Sequence, residues 1–380
     1  MPEQAAGRSG PDVVITGLGV TSAFGRGEGP LLDGVLSGRP AFAPVERFDA
    51  SKCRSQVAAS LPGDPDLAKE LAAVIGDACA AAGLTERDRT AAPVLLALHS
   101  DPAAARGIGP ESVAGSTASL LPALAGVGEP DRVYTTACVA ASTAVADAAA
   151  LISAGRAATV IVAAGYFVDA DGFWLFDAGR TLAKDGRVRP FSAGRQGLLL
   201  GDGAAAVVLE SGAAARRRDA ALVARLAGWG RAGDAYHVCQ PRPEGTGLAR
   251  AITAALRRAE VSPADIGYVN ANGTGTSFAD ASETAALHHA FGAHAQQVPV
   301  SSTKSVHGHA LEASALLELA VTVLALRART LPVNSGFLAP DPDCRLNLVL
   351  DGGRHTAARY ALSLNAAFGG ANTALLLESP

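Results

Sequence analysis

DRVYTTACVAASTAVADAAALISAGRAATVIVAAG, from Asp131 to Gly165, is the stretch whose reading decides the fold. RVYTTAC has the composition of a strand, and VAASTAVADAAALISA carries small residues at helical spacing with no internal breaker. Gly155 stands where a left-handed cap would close that helix, and TVIVAAG then reads as a strand covered on both faces. A strand, a loop, a helix and a second strand in succession form the repeating unit of an α/β protein.

The same alternation extends in both directions. Upstream, VVITGLG (Val13–Gly19) reads as a buried parallel strand entering a loop, Leu71 to Gly83 as a helix, and Val94–Leu98 as the next buried strand. Downstream, GDGAAAVVLES closes a first half with one more strand, and the arginine-rich segment 213–220 reads as a solvated link. The order then starts again. ALVARLAGWG is a strand, GLARAITAALRRA an amphipathic helix, IGYVNANGTGT a strand running into a loop, and EASALLELAVTVLALRA a helix apolar nearly all round, as if held between two sheets. The expected organisation is two similar halves, 1–215 and 216–380, with no repeat visible at the level of residues.

Composition narrows the function. A net charge of −4 spread over 380 residues leaves no basic stripe for nucleic acid or an anionic membrane. Five cysteines, odd in number and without a C-x-x-C spacing, indicate neither a disulfide framework nor a zinc site. The polar first residues lack the apolar core of a signal peptide and read as disordered, so a reducing cytoplasmic setting is expected. The pair His307/His309 has no accompanying ligand cluster, so no metal is expected.

Cys138 lies where a strand hands over to a helix, a position at which the helix dipole and unpaired N–H groups favour thiolate. From position alone a small buried hydrophobe, the commonest fate of a free cysteine, is the plainer reading. Two further loops carry polar groups able to meet a ligand: VNANGTGT (Val269–Thr276), and SSTKSVHGHAL (Ser301–Leu311) with Lys304 and His309. Each alone also fits an ordinary turn.

Taken together, TTACVAAS, NANGTGTSFADASE, SSTKSVHGHALEASALLE and SLNAAFGGAN, in this order, resemble the signature blocks of the elongating β-ketoacyl-acyl-carrier-protein synthases. VVITGLGVTSAFG, VERFDAS and RPFSAGRQGLLLGDGAAAVVLE extend that resemblance over almost the whole chain. It implies the thiolase fold, a five-layer α-β-α-β-α sandwich of two similar halves, in a homodimer or in a heterodimer with another ketosynthase-like subunit. It implies an acyl substrate carried on the phosphopantetheine of an acyl carrier protein, with no separate cofactor. Residue by residue, it makes Cys138 the acylated nucleophile, His309 an active-site histidine, Lys304 a buried lysine and Glu283 the acid paired with it. Phe368 becomes the gatekeeping aromatic, the backbone N–H groups of Cys138 and Phe368 an oxyanion hole, Thr274 and Thr276 the contacts of the pantetheine arm, and Phe191 an aromatic near the site.

The chain departs from that pattern at Asn272, where the resemblance places the first of two active-site histidines, His309 matching the second. An amide donates a hydrogen bond but neither takes a proton nor carries positive charge at neutral pH. Glu312 and Ser314 replace small residues, His307 replaces a threonine, and the stretch from Leu98 to Tyr134 is shorter than in typical members. The expected function is transfer of an acyl group through Cys138 in polyketide or fatty-acid-type biosynthesis, by decarboxylative condensation or by a variant without decarboxylation, toward which Asn272 tilts the reading. The alternative is a non-catalytic partner subunit of the chain-length-factor kind.

Overall fold

The computed structural model describes residues 12–99 and 115–380. The start of the chain read as disordered, and residues 100–114 of the shortened stretch, lie outside the described residues.

The first half runs β1 (Val13–Ser22), α1 (Leu67–Ala81), β2 (Val94–Leu98), α2 (Gly115–Ala125), β3 (Arg132–Tyr134), α3 (Ala140–Ser153), β4 (Thr159–Tyr166) and β5 (Gly203–Ser211). The second runs β6 (Ala224–Gly233), α4 (Thr246–Ala259), β7 (Ile266–Asn270), α5 (Ser277–Phe291), β8 (Pro299–Ser301), α6 (Ser314–Ala328), β9 (Tyr360–Ala366) and β10 (Ala371–Glu378). The two sheets have one topology. Strand order is β3-β2-β4-β5-β1 in the first and β8-β7-β9-β10-β6 in the second, with the strand Asn347–Leu348 added beyond β8. In each, the second strand of the half pairs parallel with the third and fourth, and the fourth, fifth and first pair antiparallel in turn. The halves meet edge to edge where Val14 and Ile15 oppose Arg225 and Ala224.

This is the five-layer thiolase fold. Helices α1 and α2 cover one outer face, α4 and α5 the other, and α3 and α6 fill the space between the sheets. Every residue of α6 from Ser314 to Leu326 is buried. A helix with sheet on both sides has no solvent face, which explains its apolar circumference. No described helix is long and apolar enough to cross a membrane.

A residue-level echo of the duplication does exist, in glycines. A Cβ on Gly17 or Gly19 of β1 would land on the carbonyl oxygens of Ala78 and Val74 in α1, and a Cβ on Gly228 or Gly230 of β6 on those of Ala255 and Ala251 in α4. In both halves a Gly-x-Gly pair lets the first strand lie directly on the outer helix, an approach no side chain permits.

Two expectations are corrected. β1 is antiparallel to both of its neighbours, not parallel. A continuous apolar run reports burial on two faces, which a central antiparallel strand shares, and says nothing of direction. The arginine-rich link forms a short helix, Gly212–Arg217, whose start is capped by Ser211, and Arg218 beyond it pairs with buried Glu210.

Candidate active site

The two central helices start at the same place. A short 3-10 turn, Ala137–Val139, leads into α3, and a matching turn, Leu311–Ala313, leads into α6. Each turn is entered through a non-glycine residue in the left-handed region, Ala137 at φ 50° and Leu311 at φ 40°. Strain of this kind persists only where the surroundings over-determine it, and here it aims the residues that follow or precede it. Cys138 from the first turn, His309 from just before the second and Asn272 from the loop after β7 line one cavity of about 150 Å³. Thr274, Thr276 and Phe368 line it too.

His309 is clamped by its backbone, its N–H donating to the Leu199 carbonyl at 2.8 Å and its carbonyl accepting from the Gly201 N–H at 3.0 Å. Its Nδ1 accepts the Leu311 backbone N–H at 3.0 Å and faces the Ser314 hydroxyl at 2.9 Å. A nitrogen that accepts a backbone N–H carries no proton, so the proton of the neutral ring is on Nε2. Ser314 accepts the Ala310 N–H at 2.9 Å and donates its own proton to the ring. Burial, then Lys304 and His307, hold the His309 imidazole well below its ordinary pKa. His309 is therefore a neutral N–H donor.

Asn272 is 2% exposed and is held from three sides. Its backbone N–H donates to Glu283 at 2.8 Å, and its carbonyl oxygen accepts Lys304 Nζ at 2.9 Å. Its Oδ1 accepts the same Nζ at 3.3 Å. An ammonium only donates, so it fixes the amide with oxygen toward Lys304 and leaves Nδ2, which bonds to no described residue, as a donor.

The ion pair expected between Lys304 and Glu283 is not formed. Lys304 Nζ lies 2.5 Å from Glu318 Oε1, on α6, with both side chains almost fully buried. Glu283 instead accepts the N–H groups of Asn272 and Gly273, each at 2.8 Å. Asp280 does the same for Gly275 and Phe191. Both acids hold the 272–275 loop in shape, and burial pushes both up to about 7 against the pull of those N–H groups.

Phe191 is fully buried behind that loop, its backbone tied to Asp280, and lies outside the cavity wall. Thr274 and Thr276 face each other, Oγ1 to Oγ1, at 3.0 Å. Phe368 is half-exposed at the mouth, stacked on Phe176 at 6.1 Å between ring centroids. His307 is neither on the surface nor in the cavity: it is buried, with Nδ1 on the Gly308 carbonyl at 2.8 Å and Nε2 on the Thr303 hydroxyl at 2.9 Å. Glu312 is buried with both oxygens near Nδ1 of His99, at 3.0 and 3.1 Å.

Family models for the β-ketoacyl synthase N-terminal domain and C-terminal domain match residues 107–215 and 223–337. The chain belongs to the β-ketoacyl synthase family. It is 31% identical to 3-oxoacyl-[acyl-carrier-protein] synthase 2 of Coxiella burnetii (strain RSA 493 / Nine Mile phase I), over 96% of this chain and 98% of that protein. It is 32% identical to putative polyketide beta-ketoacyl synthase 1 of Streptomyces cyaneus, over 97% and 98%. Among solved structures, the ishigamide ketosynthase/chain length factor superposes with a TM-score of 0.87 at 28% identity, covering 98% of this chain and all of that one.

At Cys138 burial works against the thiolate that its helix terminus favours. Cys138 is 7% exposed; burial pushes its thiol up to about 12, Glu312 adds to the rise, and Lys304 opposes it. A helix terminus contributes up to about 2 kcal/mol in the opposite sense, toward thiolate. The sequence reading also missed several wall residues of the cavity, among them Phe176, Thr181, Gln240 and a second thiol, Cys239. Only proximity in space marks them, since none sits in a motif or at a regular spacing.

Proposed function

We propose that this ketosynthase takes an acyl group from an acyl carrier protein onto Cys138 and joins it to a decarboxylating extender unit. The carrier comes from the relative named for it in Coxiella burnetii. The observation that carries the reading is the convergence of one thiol, Cys138, and two neutral N–H donors, His309 Nε2 and Asn272 Nδ2, on one cavity.

Loading is a thioester exchange. The Cys138 sulfur attacks the carrier-bound carbonyl, the oxyanion is received by the backbone N–H groups of Cys138 and Phe368, and the pantetheine thiol leaves with the cysteine's proton. Both N–H groups lie in the first turn of a short helix, where a backbone donor has no intrahelical acceptor. Thr274 and Thr276 accompany the pantetheine arm along the wall, and Phe368 stacked on Phe176 guards its entry. In the second step a malonyl-type thioester loses carbon dioxide, its enolate oxygen is held by His309 and Asn272, and the enolate carbon displaces the Cys138 sulfur from the acyl carbonyl.

Asn272 is the unusual member, standing where the family motif leads one to expect histidine. Since His309 is itself a donor rather than a base, the task at its neighbour is also donation, which an amide performs. This supports decarboxylative condensation as the reading to test, rather than a reaction without decarboxylation. Lys304, Glu318, Glu283 and Ser314 position these groups without touching substrate.

Incubation with an acyl-carrier-protein thioester, followed by intact-mass analysis, tests the loading step. An acyl adduct present in wild type and absent in Cys138→Ala supports it; no adduct, with activity of a co-expressed ketosynthase complex unaffected by Cys138→Ala, establishes a non-catalytic partner of the chain-length-factor kind instead.

A further inference from the structure

Cys239 lines the same cavity as Cys138, and it also lines the wider mouth outside it together with Phe176, Phe278 and Phe368. The two thiols are opposite in character. Cys138 is buried at the closed end, while Cys239 is exposed at the open one. Cys239 is not on a loose tip: His237 Nδ1 accepts the N–H groups of Cys239 and Gln240, at 3.0 and 3.1 Å. Next to it, the Val238 carbonyl accepts the Gly369 N–H at 2.8 Å, tying the Cys239 loop to the loop that carries Phe368. At the closed end the Asn272 amide, nearly fully buried, presents a donor without a partner among the described residues. The other end of that amide is held, its Oδ1 accepting Lys304 Nζ at 3.3 Å, so the amide is fixed in the cavity wall with Nδ2 left to meet a ligand's polar group. Cys239 thus belongs to the wall of both the cavity and its mouth.

We propose that Cys239 is a thiol-exchange site at the channel mouth, where a pantetheine-class disulfide leaves one pantetheine unit bound and thereby closes the way to Cys138. The assignment of the disulfide class rests on the reading above, that a pantetheine arm occupies this channel. The Cys239 thiolate attacks one sulfur of the disulfide, the old S–S bond breaks as the new one forms, and the released pantetheine thiolate takes up the proton. No other oxidant enters, and a second thiol reverses the step. The buried Cys138, pushed up to about 12, supplies little thiolate to compete.

The test treats reduced, full-length protein with pantethine, maps the modified peptide by mass spectrometry, and then measures Cys138 acylation from a butyryl-carrier thioester. The expected result is one pantetheine adduct on Cys239, acylation slowed at least tenfold, and recovery on adding a thiol reductant. Cys239→Ser should acylate at one rate with or without pantethine, whatever that rate is. Absence of an adduct at Cys239, first modification at Cys138, or an adduct that leaves acylation unchanged each overturns the proposal. If untreated protein never acylates Cys138, the loading reaction falls, and the map alone decides whether Cys239 exchanges.

Discussion

Lys304 Nζ donates to Asn272 Oδ1 at 3.3 Å, and that contact decides which end of the amide faces the cavity lined by Cys138 and His309. The lysine is held in turn by Glu318 on the central helix, so the orientation of a group in the cavity is set from the middle of the core.

Asn272→Asp keeps the shape and replaces the donor by an acceptor oxygen. Decarboxylation of a malonyl-carrier thioester should fall by about 10²–10³-fold, the usual cost of one lost oxyanion donor, while Cys138 acylation, which uses backbone donors, is retained. Carbon dioxide release at the wild-type rate would show that the amide takes no part.

Lys304→Met leaves the Glu318 carboxyl buried without its partner. Stability to denaturant should drop by about 3–5 kcal/mol, as when one member of a buried pair is removed. The double variant Lys304→Met with Glu318→Gln should recover a large part of that. Equal losses in single and double variants would mean that the ion pair is energetically silent.

The Cys138 thiol, pushed up to about 12 by burial and by Glu312, should be alkylated by iodoacetamide at a rate rising roughly tenfold per pH unit from pH 7 to 9 with no plateau. Glu312→Gln should speed that alkylation by roughly three- to tenfold, since it removes one neighbouring charge that opposes the thiolate. A plateau below pH 8 in the wild type would reveal a resting thiolate.

Asp280 and Glu283, raised to about 7 by burial from ordinary values of 3.8 and 4.5, bind protons more tightly folded than unfolded. Their contribution to stability is complete below those ordinary values, is lost as pH rises toward 7, and is level above it. Thermal melts between pH 5 and 8 should show this decline, and Glu283→Gln should flatten it. A melting temperature with the same pH slope in wild type and variant would refute the assignment to Glu283.

Much of this was legible in the sequence, because burial writes itself into composition. Val94–Leu98 has the bounds read from its apolar run, Gly155 takes the left-handed cap at φ 67°, and the unbroken apolar face of α6 reports its place between sheets. The direction of β1 was not legible, since pairing sense leaves no mark on a strand buried on both sides. Nor was the partner of Lys304: Glu283 and Glu318 are equally acidic in the sequence, and only in the folded chain does Lys304 stand between Asn272 and Glu318, which separates the acid that reaches Nζ from the one that holds backbone. Cys239 has no strand-to-helix setting to mark it in the sequence, because a wall shared by distant loops exists only once the chain is folded.

The matched turns ahead of α3 and α6 give the molecule a division of labour. Sulfur is supplied by one copy of a repeated device and imidazole by the other, so neither half of the chain owns the whole candidate site. If the proposed chemistry runs here, it is a readout of how the two copies are docked: a slip between them of an ångström or two would silence it with every helix and strand intact.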